Sequence, residues 1–134
     1  MAEHPNVEFA RGVYTAMASG NMEWMADHMH GDAVFHQTGK FPTAGTYHGR
    51  DAIFAHIGEF MQLVAGNFAI EAHDILGTEN HAVALIKVAI QYKGKSFAFD
   101  EAHVFHIESG KLRELWAVPQ DPYQVDAFFA AADS

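Results

Sequence analysis

The chain has no cysteine, which excludes disulfides, thiolate nucleophiles and Cys-ligated metal centres. It is also poor in positive charge: Lys and Arg total 8 against 17 Asp and Glu, a formal net charge of −9. No Arg- or Lys-rich strip interrupts that balance, so the phosphate electrostatics behind nucleic-acid binding have no source, and an anionic membrane surface is disfavoured for the same reason. No apolar run reaches the roughly 18 residues that a membrane-spanning helix needs. The opening MAEHPNVEFARG has no basic segment followed by a long apolar stretch, so it does not read as a secretion signal. A reducing, cytoplasmic setting is the expectation from these absences. A glycine-rich phosphate loop is missing as well, because Gly45 and Gly49 sit in an ordinary turn-rich segment.

What is present is enough apolar material for one interior. The 134 residues are 49% hydrophobic and include 11 Phe, which fits a single domain with an aromatic core or an aromatic-lined pocket. Ten His leave room for charge gain as pH falls through roughly 6–7.

Helical spacing begins near Val7, with Ala10, Val13, Tyr14 and Met17 on one face. Ser19-Gly20-Asn21 breaks it, and Asn21 is placed to cap a second short helix carrying Met22, Met25 and Met29, ended by Gly31. Residues 33–37 read as a short strand. The turn-rich segment from Gly39 to Gly49, with Pro42 and Gly45, reads as a loop at a pocket rim. Arg50-Asp51 leads into a third helix, with Ile53, Phe54, Ile57, Phe60, Met61 and Val64 on its apolar side, stopped by Ala65-Gly66-Asn67. The period then changes to two. Residues 68–76, 82–92, 96–107 and 111–118 read as four strands joined by short hairpin turns, hence an antiparallel meander. Pro119 and Pro122 close the last strand, and residues 123–132 form a terminal helix or lid. The economical packing is an α+β domain in which three N-terminal helices lie across a strongly curved antiparallel sheet and enclose a cone-shaped pocket. The sheet's outer face carries enough Val, Ile and Leu to pair with a second copy, so a homodimer is expected.

The stretches Asp32-Ala33-Val34-Phe35-His36, Gly45-Thr46-Tyr47-His48-Gly49-Arg50-Asp51-Ala52-Ile53 and the run from His103 to Trp116, with Asp121 following, resemble the nuclear transport factor 2-like superfamily, most closely its SnoaL-like and ketosteroid-isomerase-like branch. The resemblance spans nearly the whole chain. It implies a cystatin-like roll around a small-molecule pocket, in a group whose members include isomerases, cyclases, hydrolases, dehydratases and noncatalytic binding domains. In the isomerase pattern the general-base carboxylate falls nearest Gln37, the oxyanion-stabilising Tyr nearest Tyr14, and a protonated Asp near Glu101–His103. Gln37 cannot take a proton as a carboxylate would, so the steroid-isomerase base is missing from its usual place.

Two imidazoles stand out as replacement bases. His36 lies on the first strand beside Gln37, and a structural, hydrogen-bonded His is the plain alternative there. Glu101 and His103 share one strand face with Phe99 and Phe105, an arrangement in which a carboxylate fixes the tautomer of a base. Asp100 takes the place of Glu101 if the strand parity is reversed. Tyr14 and Gln37 are candidate oxyanion partners. Trp116 reads as a pocket wall, while Phe54, Phe60, Met25 and Met61 read as lining; Lys40 on the rim and His56 on the third helix are weaker ligand contacts. His28 and His30 form no recognisable metal spacing and no HExxH occurs, so no metal is expected. These residues point to cofactor-free acid–base chemistry, such as isomerisation, cyclisation or dehydration, on a small hydrophobic carbonyl or hydroxyl compound. A noncatalytic ligand-binding or dimerisation domain is the alternative.

Overall fold

The computed structural model describes residues 3–134. Helix α1 (Pro5–Ser19) opens with Pro5 in its first turn and ends at Gly20, whose backbone takes the left-handed conformation, φ 70°, that a side chain would strain. Asn21 then caps α2 (Met22–Asp27), its side chain accepting from the Trp24 amide at 3.1 Å. Strand β1 (Met29–Gln37) begins earlier than the alternation suggests. Met29 therefore belongs to the sheet, and Gly31 lies inside the strand, where the register to its neighbour is irregular. The segment read as a loop contains a four-residue strand, β2 (Gly45–His48), paired antiparallel to β1. Helix α3 (Arg50–Leu63) follows, and then β3 (Phe68–Gly77), β4 (His81–Tyr92), β5 (Lys95–Glu108), β6 (Lys111–Pro119) and α4 (Pro122–Ala132). No helix of the described residues is long and apolar enough to cross a membrane.

Two features of the expected architecture need correction. Only α1 and α2 precede the sheet, because α3 sits between β2 and β3. The sheet is also mixed and open, not a strongly curved, all-antiparallel layer. Its order is β2-β1-β6-β5-β4-β3, with free edges at β2 and β3, and β1 runs parallel to β6. The meander β3–β6 is antiparallel throughout. The parallel pairing joins strands separated by most of the chain, and hydrophobic alternation carries no information about strand direction.

Strand β4 shows how the sequence chooses the inner face. Ala82, Ala84, Ile86, Val88, Ile90 and Tyr92 are all buried, while Leu85, Lys87 and Ala89 between them are exposed. Each buried Val or Ile there contributes about 1.5–3 kcal/mol of apolar burial. Helix α1 packs on β3 and β4, α3 on β1 and β2, and α4 against β5 and β6. Together they roof the inner face of the sheet.

Candidate active site

Sheet and helices leave a cavity of about 120 Å³ between them. This is close to the roughly 150 Å³ of an apolar cavity known to hold one benzene ring. Its walls are almost wholly apolar, drawn from all four helices and from every strand except β2. Helix α4 contributes Val125 and Phe129, so the terminal helix forms part of the wall. Phe129 is 2% exposed and stacks on Phe41 with ring centroids 5.2 Å apart.

Inside this apolar shell the polar groups are few. Strand β5 turns Phe99, Glu101, His103 and Phe105 inward, and Asp100 outward into an ion pair with Lys87 at 3.5 Å. His103 Nε2 lies 2.8 Å from Glu101 Oε2, with side-chain exposures of 12% and 6%. On its other side, His103 Nδ1 lies 2.7 Å from the Tyr14 hydroxyl, and the two rings stack with centroids 5.8 Å apart. Burial, and then the Glu101 charge, push the Tyr14 phenol well above its ordinary range, so Tyr14 keeps its proton. With Glu101 ionised and the imidazole neutral, one proton order fits both contacts. Tyr14 O–H donates to Nδ1, and Nε2–H donates to the carboxylate. The result is a buried Tyr14–His103–Glu101 relay opening on a water-poor space.

His56, on α3, also lines the cavity and is 3% exposed. Its ring stacks on Tyr47 at 4.1 Å and meets the edge of Phe35 at 5.2 Å. Desolvation lowers its pKa to about 4, so it is neutral at physiological pH. His56 Nδ1 and Gln37 Oε1 are buried with no protein partner among the described residues. In an unfolded chain His56 titrates near 6.5, so between about 6.5 and 4 the unfolded state binds more protons than the folded one. Stability tied to His56 is therefore fully present above pH 6.5 and lost as pH falls toward 4, by as much as about 3 kcal/mol. Urea denaturation of wild type and His56→Leu at several pH values checks this: the variant is expected to show a shallower loss of stability on acidification.

Four sequence candidates lie elsewhere. His36 points to the opposite face of the sheet, where Nε2 bonds Glu114, Nδ1 lies 3.1 Å from Thr46 Oγ1 and the ring stacks on Trp116 at 5.3 Å. His36 and Trp116 are cross-strand partners and so share that outer face; neither lines the cavity. Alternation explains this, since the inward Phe35 and Gln37 flank His36. Lys40 is exposed, its backbone amide held by Asp126 at 2.8 Å, and Phe54 packs half-buried on α3 away from the cavity. Tyr14, Gln37, Met25, His56, Phe60, Met61, Glu101 and His103 all line it. The sequence reading missed Phe41, Val125 and Phe129 as lining, although the four-residue spacing of Val125 and Phe129 marks one face of α4.

A SnoaL-like domain model matches residues 10–115. An uncharacterised protein of Mycobacterium tuberculosis, Rv0034, is 22% identical over 131 residues, covering 97% of this chain and 100% of the relative. Among solved structures, Bal32a from a soil-derived mobile gene cassette superimposes with a TM-score of 0.87 at 25% identity, over 93% of this chain and 96% of that one. A nuclear transport factor 2-like protein of unknown function from Burkholderia pseudomallei gives 0.84 at 17% identity, over 94% and 98%. The chain belongs to the SnoaL-like domain family and has the fold of nuclear transport factor 2-like proteins.

Proposed function

We propose that this chain is a cofactor-free acid–base enzyme that moves a proton on a small, mainly apolar carbonyl compound. The observation that carries the reading is the buried Tyr14–His103–Glu101 relay on the wall of an apolar cavity. Tyr14 O and His103 Nδ1 are 2.7 Å apart, so a ketone oxygen and its neighbouring α-carbon can reach both at once. On binding, the Tyr14 O–H exchanges its bond to Nδ1 for one to the substrate oxygen. Nδ1 is then free to take the α-hydrogen as a proton. The C–H electron pair becomes the enolate, whose oxygen Tyr14 holds, and the imidazolium is balanced by the Glu101 carboxylate. In a β,γ-unsaturated ketone, return of that proton from the imidazolium to the γ-carbon of the dienolate completes an isomerisation. In a β-hydroxyketone, the same proton passes to the departing hydroxyl, which leaves as water as the enolate electrons form the new C=C bond. Exclusion of water by the Phe and Met walls strengthens each of these contacts.

The experiment is hydrogen–deuterium exchange at the α-carbon of small cyclic ketones, followed by NMR in deuterated buffer. Exchange above the buffer rate is the expected result. Saturable binding without exchange across such a panel would instead make the chain a noncatalytic binding module.

The reading also takes the active form as a homodimer through the outer sheet face. Leu76, Val83, Val104 and Trp116 form one transverse row there, and Leu76, Leu85 and Val118 are 56%, 37% and 39% exposed. An apolar row that crosses four strands on one sheet face is the kind of surface a second copy covers. Sedimentation equilibrium is expected to give a dimer for wild type and a monomer for Val104→Glu; a wild-type monomer removes this part of the reading.

A further inference from the structure

The polar groups of the cavity gather at two poles. At one, α1 and β5 supply Tyr14, His103 and Glu101, already bonded to one another. At the other, β1 supplies Gln37 and α3 supplies His56, whose ring lies 5.2 Å from that of Phe35, two residues before Gln37 on the same strand face; each has a buried polar atom with no protein partner among the described residues. Buried polar atoms are almost always satisfied, so two of them on the wall of one cavity call for an occupant that bonds them.

Sheet register relates the poles. Gln37 pairs with Ala117 on β6, and Ala117 pairs with His103 on β5, so the three form one transverse row on the cavity floor. Ala117 is the low point of that row, because its methyl group leaves the space between the two longer side chains open. Two interstrand steps of ~4.8 Å separate the Gln37 and His103 backbones by about 10 Å. That row is long enough for one small ring between the two side chains. The cavity volume of about 120 Å³ sets the same size.

We infer that the site takes a one-ring compound polar at both ends, with its carbonyl at Tyr14–His103 and a hydroxyl on the far side of the ring at Gln37–His56. The carbonyl end rests on the proposed proton transfer; the hydroxyl end rests on the two unpartnered atoms. A hydroxyl fits that second pole because it donates its one proton to the Gln37 Oε1 acceptor while its oxygen accepts from His56 in the Nδ1–H tautomer. A carboxylate does not fit, since Gln37 presents an oxygen and burial keeps His56 uncharged. An ammonium would lose its hydration in an apolar cavity with no anion at that end. Gln37 and His56 are then specificity residues that hold the ring in register over His103.

The test is calorimetric titration with two cyclohexanones, one bearing a hydroxyl opposite the carbonyl and the other a methyl group in the same place. Wild type is expected to bind the hydroxyketone about tenfold more tightly. In Gln37→Leu and His56→Leu that preference is expected to fall to within about twofold. His103→Gln keeps the preference while losing α-exchange. Equal or weaker binding of the hydroxyketone by wild type overturns the inference without recourse to any variant. So does failure of wild type to bind it, or survival of the preference in the double variant Gln37→Leu/His56→Leu. Absence of α-exchange with the hydroxyl preference intact removes the proposed reaction and leaves the second pole standing.

Discussion

Replacing His103 by Gln is expected to slow α-hydrogen exchange from small cyclic ketones by about 10²–10⁴-fold, the usual worth of a positioned general base. That corresponds to roughly 3–5 kcal/mol of transition-state stabilisation. Gln keeps a planar amide between Tyr14 and Glu101 and can bond both, so the cavity retains its shape while the titrating group is gone. Ketone affinity should change only a few-fold, because apolar walls supply most of the binding surface. His36→Gln is the matched control. It removes an imidazole that also faces a carboxylate, Glu114, but on the other side of the sheet, and it should leave exchange within about twofold of wild type. Loss of exchange in His36→Gln with retention in His103→Gln would move the chemistry to the outer face and refute the account. Steady-state exchange rates at saturating ketone, read for the three proteins side by side, decide between these outcomes.

The second large effect falls on stability. Phe129→Ala is expected to destabilise the fold by about 3–5 kcal/mol and to lower Tm by roughly 10–15 °C. Phe129 is almost fully buried, contacts the rings of Phe41, Tyr92 and Phe128, and closes one wall of the cavity. Its removal leaves a void that joins the existing hollow, and the neighbouring Phe128 is held by its own stack on Phe97. Phe128→Ala, half-buried and stacked on Phe97 at 4.6 Å, should cost clearly less. Thermal and urea unfolding followed by circular dichroism measure both. A loss below about 1 kcal/mol for Phe129→Ala would mean that α4 is not fastened as a wall. Ligand affinity gives an independent readout, since an enlarged cavity grips a single ring less well.

Much of this architecture was legible in the residues. The change from helical to two-residue period at Phe68 marks where β3 begins, and the short turns at Gly77–Asn80, Lys93–Lys95 and Glu108–Gly110 dictate the antiparallel order of β3 to β6. Alternation on β5 turns Glu101 and His103 to the same side as Phe99 and Phe105, where the cavity lies. What was not legible depends on contacts between distant segments. The pairing of β1 with β6 sets the sheet's direction, and nothing local to either strand states it. Residues 45–48 have the glycine and turn signature of a loop, yet become a strand because β1 offers an unpaired edge. His36 drew attention by chemistry and by its place beside Gln37, but one residue of parity sends it to the other face. The Tyr14–His103 bond joins groups 89 residues apart, and only the packing of α1 over the sheet brings them together.

Imidazole nitrogens report their own surroundings, so the most direct test is nitrogen-15 NMR of the histidines while a small cyclic ketone is titrated in. Signals of His103 and His36 are assigned by their disappearance in the two Gln variants. The account expects the ketone to shift the His103 Nδ1 resonance, as the Tyr14 proton leaves it for the ligand, and to leave His36 unmoved. A ketone that shifts His36 and leaves His103 silent would contradict it.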